Sequence, residues 1–231
     1  YYPNSHVITW LARICRRIGY QSGGGSPFLT DSISWINKNT SIAVDFVELL
    51  KPLGIFANIT TLKSNLSFVS NEIFHYLKKK YRLEKPYLIF HPYSGHPLKD
   101  WKDSSWRELA KKFSSHSIVF TGGSTVEKNR IDCLCQNLPN TLNLANQLSF
   151  TELKALVSNA SALVAVDTMI GHLAAIYDIP SVILYAEMSD PIYWHPLSTK
   201  SLAIYQNDAT ATEIYKKKPL VVKDLRIVSE C

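Results

Sequence analysis

Residues 162–185 read ALVAVDTMIGHLAAIYDIPSVILY, and this stretch decides the fold class. Apolar runs at Ala162–Val166 and Ser181–Tyr185 predict two buried strands, and the segment that holds His172–Tyr177 between them predicts a helix. Two buried strands that are joined through a helix lie parallel to each other in one sheet. The stretch is therefore predicted to be a strand–helix–strand unit.

The same alternation of strand and helix continues upstream as far as Pro86. The predicted strands are Tyr87–His91, Ser117–Thr121 and Thr141–Leu144; the predicted helices are Asp103–Phe113, Val126–Leu138 and one that a Ser149–Glu152 capping box opens and that ends near Asn159. Short loops between alternating strands and helices predict an α/β fold whose parallel sheet is covered by helices on both faces.

The first part of the chain has a less regular pattern. Three segments have helical spacing and a fourth is a predicted turn: Val7–Cys15, Val44–Leu50, Asn71–Tyr81 and Gly23–Pro27. At about 150 residues per domain, 231 residues make about one and a half domains. We therefore expect residues 1–85 to be the C-terminal portion of one domain and residues 86–231 to form a second, nearly whole one.

The composition excludes several classes of protein. With 46% hydrophobic and 19% charged residues the chain is not intrinsically disordered, and no apolar run approaches the roughly 18 residues of a transmembrane helix. The four cysteines form neither a disulfide framework nor a zinc pattern, so we expect reduced thiols in a cytoplasmic protein.

The net charge is +6, and the positive residues are concentrated at Arg13–Arg17, Lys78–Arg82 and Lys216–Lys218. These clusters are either solvated helix ends or contacts for an anionic partner.

In a parallel sheet of this kind, ligands bind beside the carboxyl ends of the strands, so the loops there are candidate binding sites. The loop from His91 to Trp101 contains Ser94 and Lys99. The ammonium of Lys99 could contact a phosphate, or it could be an ordinary surface charge.

The next loop, Thr121-Gly122-Gly123, is followed by Glu127 one turn into its helix. Two glycines let the backbone approach a ligand closely, and a carboxylate can accept hydrogen bonds from ribose hydroxyls. The alternative is that Gly122-Gly123 is a common turn with no ligand.

Two further loops leave the same kind of choice. Leu148 precedes the capping box and could pack against a flat base or belong to the core. Asp167-Thr168 opens a helix and could be a simple N-cap, or the helix start could offer free N–H groups to a diphosphate. His172 in that helix could contact the ligand or be a core histidine.

In sequence order these motifs form a pattern that extends over nearly the whole chain. It comprises Pro3-Asn4-Ser5, Arg16–Tyr20, Leu29-Thr30, His91-Pro92, Pro97, Lys99, Trp101, Glu108-Leu109, Val119–Gly123, Leu148–Leu156, Asp167-Thr168, His172–Ala175, Ile179-Pro180, Leu184-Tyr185 and Asp190-Pro191. In order and spacing this pattern resembles glycosyltransferase family 9, the bacterial heptosyltransferases of lipopolysaccharide core synthesis.

The resemblance implies a GT-B-like fold of two Rossmann-like, doubly wound parallel-sheet domains, of which the N-terminal one is incomplete. It implies transfer of a heptose or related sugar from a nucleotide-diphosphate sugar, usually ADP-heptose, to a lipopolysaccharide inner-core acceptor with inversion. By position, Lys99 would stabilise the leaving diphosphate, Glu127 would bind the ribose and Leu148 would pack near the adenine. Asp167-Thr168 would bind phosphate through backbone amides, and the other donor-site residues would be Ser94, Thr121, Gly122, Gly123, Met169 and His172.

The partners follow from the same resemblance. The expected partners are the sugar nucleotide and an anionic glycolipid acceptor at the membrane surface, with no cofactor and no metal ion. The expected location is the cytoplasm, peripheral on the inner face of the inner membrane, where a basic helix over Arg13–Arg17 would face the acceptor. A nucleic-acid partner is not expected, since no base-reading motif accompanies the positive charge.

The sequence departs from the family pattern at two places. Met169 stands where the family has glycine, and Ala186-Glu187-Met188 replaces a Gly-Pro pair. These changes keep open a second hypothesis, a non-catalytic nucleotide-binding remnant of the same fold. The general base of the family, an Asp near the start of the N-terminal domain, has no counterpart here and its identity is unknown. From domain sizes we expect about 80–100 residues to be absent and the chain alone to be inactive.

Overall fold

The computed structural model describes residues 4–21, 24–35, 41–58, 69–83, 86–186 and 189–205. It divides the chain into two compact units, Tyr1–Asn65 and Leu66–Cys231. Some residues of the sequence-based predictions lie outside the described residues: Pro3, Gly23, Glu187-Met188, Lys216–Lys218 and Cys231.

The described part of the first unit contains helices and a small parallel sheet. Its elements are α1 (Asn4–Leu11), β1 (Ile18–Tyr20), β2 (Asp31–Ile33) and α2 (Ile42–Glu48), and β1 pairs with β2. The sequence predicted the helices but missed both strands, because β1 (Ile-Gly-Tyr) contains a glycine and β2 (Asp-Ser-Ile) has two polar residues, so neither is a short apolar run. The chain leaves α2 through a short turn that ends at Gly54, whose φ of 73° favours glycine.

The predicted basic helix over Arg13–Arg17 is wrong. Helix α1 ends at Leu11, and Arg13 has a left-handed φ of 55° that an α-helix does not continue through. Arg16 then pairs with Asp31, with 3.2 Å between Nε and Oδ2. Arg17 donates to the backbone oxygen of Phe28 at 2.6 Å. Arg16 and Arg17 therefore connect the segment after α1 to residues 28–31 of the first unit.

The second unit has the predicted alternation of strands and helices. Its elements are α3 (Asn71–Tyr81), β3 (Tyr87–His91), α4 (Asp103–Lys112), β4 (Ser117–Phe120), α5 (Thr125–Cys135), β5 (Thr141–Asn143), α6 (Phe150–Ser158), β6 (Ala162–Val166), α7 (Met169–Ile176), β7 (Ser181–Tyr185), α8 (Pro191–Trp194) and β8 (Ser201–Tyr205). The strands form one parallel sheet in the order β5-β4-β3-β6-β7-β8. This is the strand order of a Rossmann-like sheet, and the α/β prediction is confirmed. Strand β8 was not predicted.

Each face of this sheet carries its own hydrophobic core, which explains the apolar strands. On β3, Ile89 joins a core with Leu77 of α3 and Leu156 of α6, while the next residue, Phe90, joins another with Trp106 of α4 and Ile131 of α5. Successive side chains of a strand point to opposite faces, so a strand buried on both faces must be apolar throughout.

Helix α3 belongs to the compact unit that contains the sheet. The domain boundary predicted from the sequence lies after residue 85 and groups this helix with the first part of the chain. Phe74 and Leu77 of α3 are buried in the same hydrophobic core as Leu156 of α6. This packing holds α3 in the unit that contains the sheet.

Candidate functional site

A cavity of about 360 Å³ opens beside the carboxyl ends of β3, β4 and β6. The chain runs outward from β3 to β5 and then returns to β6, so the neighbours β3 and β6 flank the point where the strand order reverses. This is the place where Rossmann-like sheets bind their ligands. The predicted residues that line the cavity are Ser94, Thr121, Gly122, Gly123, Glu127, Leu148, Thr168 and Met169.

Glu127 forms one wall of the cavity and is held there by the glycine turn. Its Oε2 accepts a hydrogen bond from the backbone N–H of Gly123 at 2.6 Å, and its own N–H donates to Ser124 Oγ at 3.2 Å. A Cβ at Gly122 would lie 2.7 Å from Glu127 Oε2, whereas one at Gly123 would meet open space. Gly122 is therefore needed for the close approach of this carboxylate to the turn.

His91 lies at the end of β3 and also lines the cavity. Its Nδ1 is 2.8 Å from Thr121 Oγ1. Burial lowers the pKa of His91 to about 4, so its imidazole is neutral at pH 7. His91 belongs to the family motif but was not among the predicted site residues, although its position as the last residue of a central strand at the switch point is a signal for such a role.

Lys99 and Asp167 do not line the cavity but meet each other. Lys99 Nζ lies 2.7 Å from Asp167 Oδ2, and the same oxygen accepts a hydrogen bond from Ser189 Oγ at 2.6 Å. The Lys99 side chain is 25% exposed and that of Asp167 only 8% exposed. The hydrogen bond from Ser189 and the pairing with Lys99 thus hold the Asp167 carboxylate in place, and Asp167 in turn fixes the position of the ammonium. Ser189 is a residue that sequence reasoning missed.

Helix α7 begins at the cavity without a side-chain cap. Its N-cap residue is Thr168, which makes no capping hydrogen bond, and the carboxylate of neighbouring Asp167 is engaged with Lys99 instead. No side-chain cap therefore satisfies the first turn, in which the N–H of Gly171 donates to the backbone oxygen of Thr168 at 3.2 Å, and this end of α7 carries the positive end of the helix dipole. A helix start of this kind suits an anion.

Met169 occupies the first position of α7 and is half exposed at the cavity. It has a helical backbone conformation and is not among the residues with positive φ. A bulky residue at this position is therefore accommodated without backbone strain. The other departure from the family pattern, at Glu187-Met188, lies outside the described residues.

The remaining wall of the cavity is apolar. It is formed by Leu144, Leu148, Phe150, Leu153 and Met169. Leu148 is partly buried and packs on the core that includes Leu156, so it is at once a core residue and a cavity residue. The wall is rigid at its base because the predicted capping box before α6 is present and satisfies the start of that helix.

His172 does not line the cavity. It lies in α7, where burial lowers its pKa and the negative charge of Asp167 opposes that shift.

Two further findings, on metal sites and on membrane-spanning helices, concern the described residues only. They hold no group of three or more His, Cys, Asp or Glu side chains arranged to bind a metal ion. They also include no helix with the length and hydropathy that crossing a bilayer requires.

The sequence matches a family of known proteins. The model of the family described as "Glycosyltransferase family 9 (heptosyltransferase)" matches residues 4–221. Lipopolysaccharide heptosyltransferase 1 of Pseudomonas aeruginosa is 36% identical over 102 residues, which are 43% of this chain and 28% of that protein. Lipopolysaccharide heptosyltransferase 3 of Escherichia coli is 27% identical over 130 residues, 53% of this chain and 37% of that protein.

Solved structures share the fold. ADP-heptose lipopolysaccharide heptosyltransferase II of E. coli has a TM-score of 0.67 at 20% identity over 88% of this chain and 65% of that one. E. coli heptosyltransferase WaaC with ADP has a TM-score of 0.65 at 18% identity over 89% of this chain and 64% of that one. The chain thus covers less than two thirds of the length of each of these relatives.

Proposed function

The chain belongs to glycosyltransferase family 9, and from this premise we propose that it binds ADP-heptose in the cavity of its second unit for heptose transfer to a lipopolysaccharide inner core. The observation that carries the proposal is the position of the cavity at the switch point, between the Glu127 wall and the uncapped start of α7. The curated relatives are lipopolysaccharide heptosyltransferases, and one related structure holds ADP.

In this proposal the diphosphate is bound by the start of α7 and by Lys99, whose partner Asp167 directly precedes the cavity residue Thr168. When the bond from the anomeric carbon to the diphosphate oxygen breaks, its electron pair leaves with the diphosphate, and negative charge grows there. Groups that are fixed in advance beside this charge lower the barrier most. Asp167 uses one of the three N–H donors of the Lys99 ammonium, which leaves donors for phosphate oxygens.

The nucleoside would lie across the rest of the cavity. Glu127, held by the Gly123 amide, would accept hydrogen bonds from ribose hydroxyls, as carboxylates do in other Rossmann-like sites. Leu148, Phe150 and Met169 offer apolar surface to the face of the base. The acceptor hydroxyl would attack the opposite face of the sugar while the general base that the resemblance assigns to the N-terminal domain takes up its proton, and this attack inverts the anomeric centre. We place this chemistry in the cytoplasm, at the inner face of the inner membrane.

Isothermal titration of the 231-residue chain with ADP tests the donor site. We expect Lys99→Ala to weaken ADP binding about tenfold or more, because a charged hydrogen bond to the diphosphate is lost, and Glu127→Ala to weaken it too. Lys111→Ala is the matched control, since Lys111 forms an exposed pair with Glu108 on α4. No heat of binding at millimolar ADP would contradict the proposal.

The non-catalytic alternative rests on Met169. It predicts the same ADP binding but no sugar transfer, even after this chain is joined to the N-terminal domain of a family 9 relative. Our proposal predicts that the chain alone binds the donor without transferring the sugar and that the joined protein does transfer it. A radiolabelled ADP-heptose assay with a lipopolysaccharide acceptor distinguishes the two.

A further inference from the structure

We propose that Arg130 is a positioning residue that holds the loop of Lys99 in the shape that receives the diphosphate. The inference rests on the proposed function and assigns a role to a residue that does not line the cavity. Arg130 lies on α5, one turn beyond Glu127 of the cavity wall. Its side chain reaches across to the loop between β3 and α4, which carries Ser94 and Lys99.

The guanidinium of Arg130 contacts three residues of this loop and its end. Its Nη1 lies 3.1 Å from Asp100 Oδ2, and its Nη2 lies 2.8 Å from Asp103 Oδ1. Its central carbon is 3.9 Å from the centre of the Tyr93 ring. The Tyr93 hydroxyl closes the arrangement by donating to Asp103 Oδ1 at 2.9 Å.

Asp100 connects Arg130 to both ends of the segment from Ser94 to Lys99. While Oδ2 faces Arg130, Oδ1 accepts the backbone N–H of Ser94 at 2.9 Å. Asp100 is also the residue that directly follows Lys99 and closes the short turn Pro97–Lys99. Its side chain is only 10% exposed, so the carboxylate depends for its partners on Arg130 and on Ser94, whose Oγ also donates to Oδ1 at 3.5 Å.

An arginine suits this place and a lysine would not replace it. Bridging two carboxylates while lying on an aromatic ring needs a planar group with several donors in fixed directions. The ammonium of a lysine is a single point and could satisfy one carboxylate. Because Glu127 and Arg130 share α5, the same helix fixes the proposed ribose wall and the proposed diphosphate loop relative to each other.

The consequence is selective. Without Arg130, the loop should lose its fixed shape, while the apolar wall at Leu148 and Phe150 and the Glu127 turn stay as they are. Binding of the diphosphate part of a ligand should therefore weaken, and binding of its nucleoside part should not. A merely structural arginine would lower both together or neither.

The test compares Arg130→Ala, Arg130→Lys and Arg107→Ala in the 231-residue chain. Arg107 is the matched control because it donates to the backbone oxygen of Leu134 at 2.6 Å and does not contact the loop. Hydrogen exchange of peptides that cover residues 94–100 is measured in the free protein. Affinities for ADP and for adenosine are measured by titration.

For Arg130→Ala we expect about tenfold faster exchange of residues 94–100 and about tenfold weaker ADP binding, from the loss of charged hydrogen bonds. Adenosine affinity should stay within about twofold, Arg130→Lys should be intermediate, and Arg107→Ala should change neither the exchange nor the ratio of the two affinities. Unchanged exchange in Arg130→Ala, or an equal loss of ADP and adenosine binding, would overturn the inference. Failure of the wild type to bind ADP would count against the proposed function, and the exchange data would still decide the role of Arg130.

Discussion

Variants of the pair of Lys99 and Asp167 should separate stability from ligand binding: a double variant should recover the stability that a single variant loses, without recovering ADP binding. The two side chains meet at 2.7 Å and are mostly buried, and Ser189 donates to the same carboxylate oxygen. Replacing Asp167 by alanine leaves a buried ammonium without its partner. Replacing both residues by apolar ones, as in Lys99→Met with Asp167→Leu, removes the buried charge altogether.

The expected magnitudes follow from the burial of the pair. Removing one partner of a fully buried ion pair costs about 3–5 kcal/mol. The Lys99 side chain keeps a quarter of its surface in contact with solvent, so we expect about 2 kcal/mol of destabilisation for Asp167→Ala. The double variant should return to within about 1 kcal/mol of the wild type, because apolar replacements of a buried pair are often neutral. It should nevertheless lose ADP binding with Lys99.

The assay measures unfolding of the second unit in urea. The readout is hydrogen exchange of peptides from β3 and β6, to which the first unit does not contribute. Lys99→Met and Asp167→Leu, the two single variants that share the substitutions of the double variant, complete a double-mutant cycle with it and the wild type. A coupling energy below about 0.5 kcal/mol, or a double variant that binds ADP as tightly as the wild type, would refute the reasoning.

Three further variants test single features. The pKa of His91 is about 4 in the folded protein, so the unfolded chain takes up the imidazole proton first as the pH falls below about 6.5. The free energy of unfolding should therefore decrease by about 2 kcal/mol between pH 7 and pH 4.5. His91→Gln should lack that part of the loss, and an imidazole NMR titration that gives His91 a pKa above 6 would exclude it. Gly122→Ala should destabilise the unit by about 1–2 kcal/mol, because its Cβ would lie 3.1 Å from the Cβ of Ala145 and would push the Glu127 carboxylate, 2.7 Å away, from the Gly123 amide. Gly123→Ala, whose Cβ would meet open space, is the control, and equal urea midpoints would contradict this. Ser149→Ala should cost about 1 kcal/mol by removing the capping box, and an unchanged urea midpoint would argue against that role.

The fold of the second unit could be predicted because its strands are buried on both faces. Strand β3 needs Ile89 for one core and Phe90 for the other, so the whole strand is a readable apolar run. The three-residue strands β1 (Ile-Gly-Tyr) and β2 (Asp-Ser-Ile) carry no such run, whereas strand β8 at the sheet edge is apolar from Leu202 to Tyr205 and was nevertheless not predicted. Their pairing depends on neighbours that local sequence does not specify.

The candidate site could be predicted in part for a related reason. Parallel strands bring the loops after β3, β4 and β6 to one edge of the sheet, so residues far apart in sequence were expected to line one site. The direction of each side chain was not predictable. The pairing of Lys99 with Asp167 joins positions 68 residues apart, and that of Arg130 with Asp100 joins positions 30 apart. Such contacts depend on the register of helices on the sheet, which hydrophobic spacing leaves open.

Met169 shows why a departure from a family pattern needs the structure for its interpretation. From sequence alone, a bulky residue in place of glycine suggests that a ligand can no longer approach the backbone. The helical backbone of Met169 removes the conformational need for glycine, and its half-exposed side chain lines the same cavity as Leu148 and Phe150. The start of α7 keeps its uncapped N–H groups whatever side chain follows Thr168. Under the proposed function the substitution therefore bears on which base or sugar the cavity would prefer, and it leaves in place the start of α7 that is proposed to bind the diphosphate.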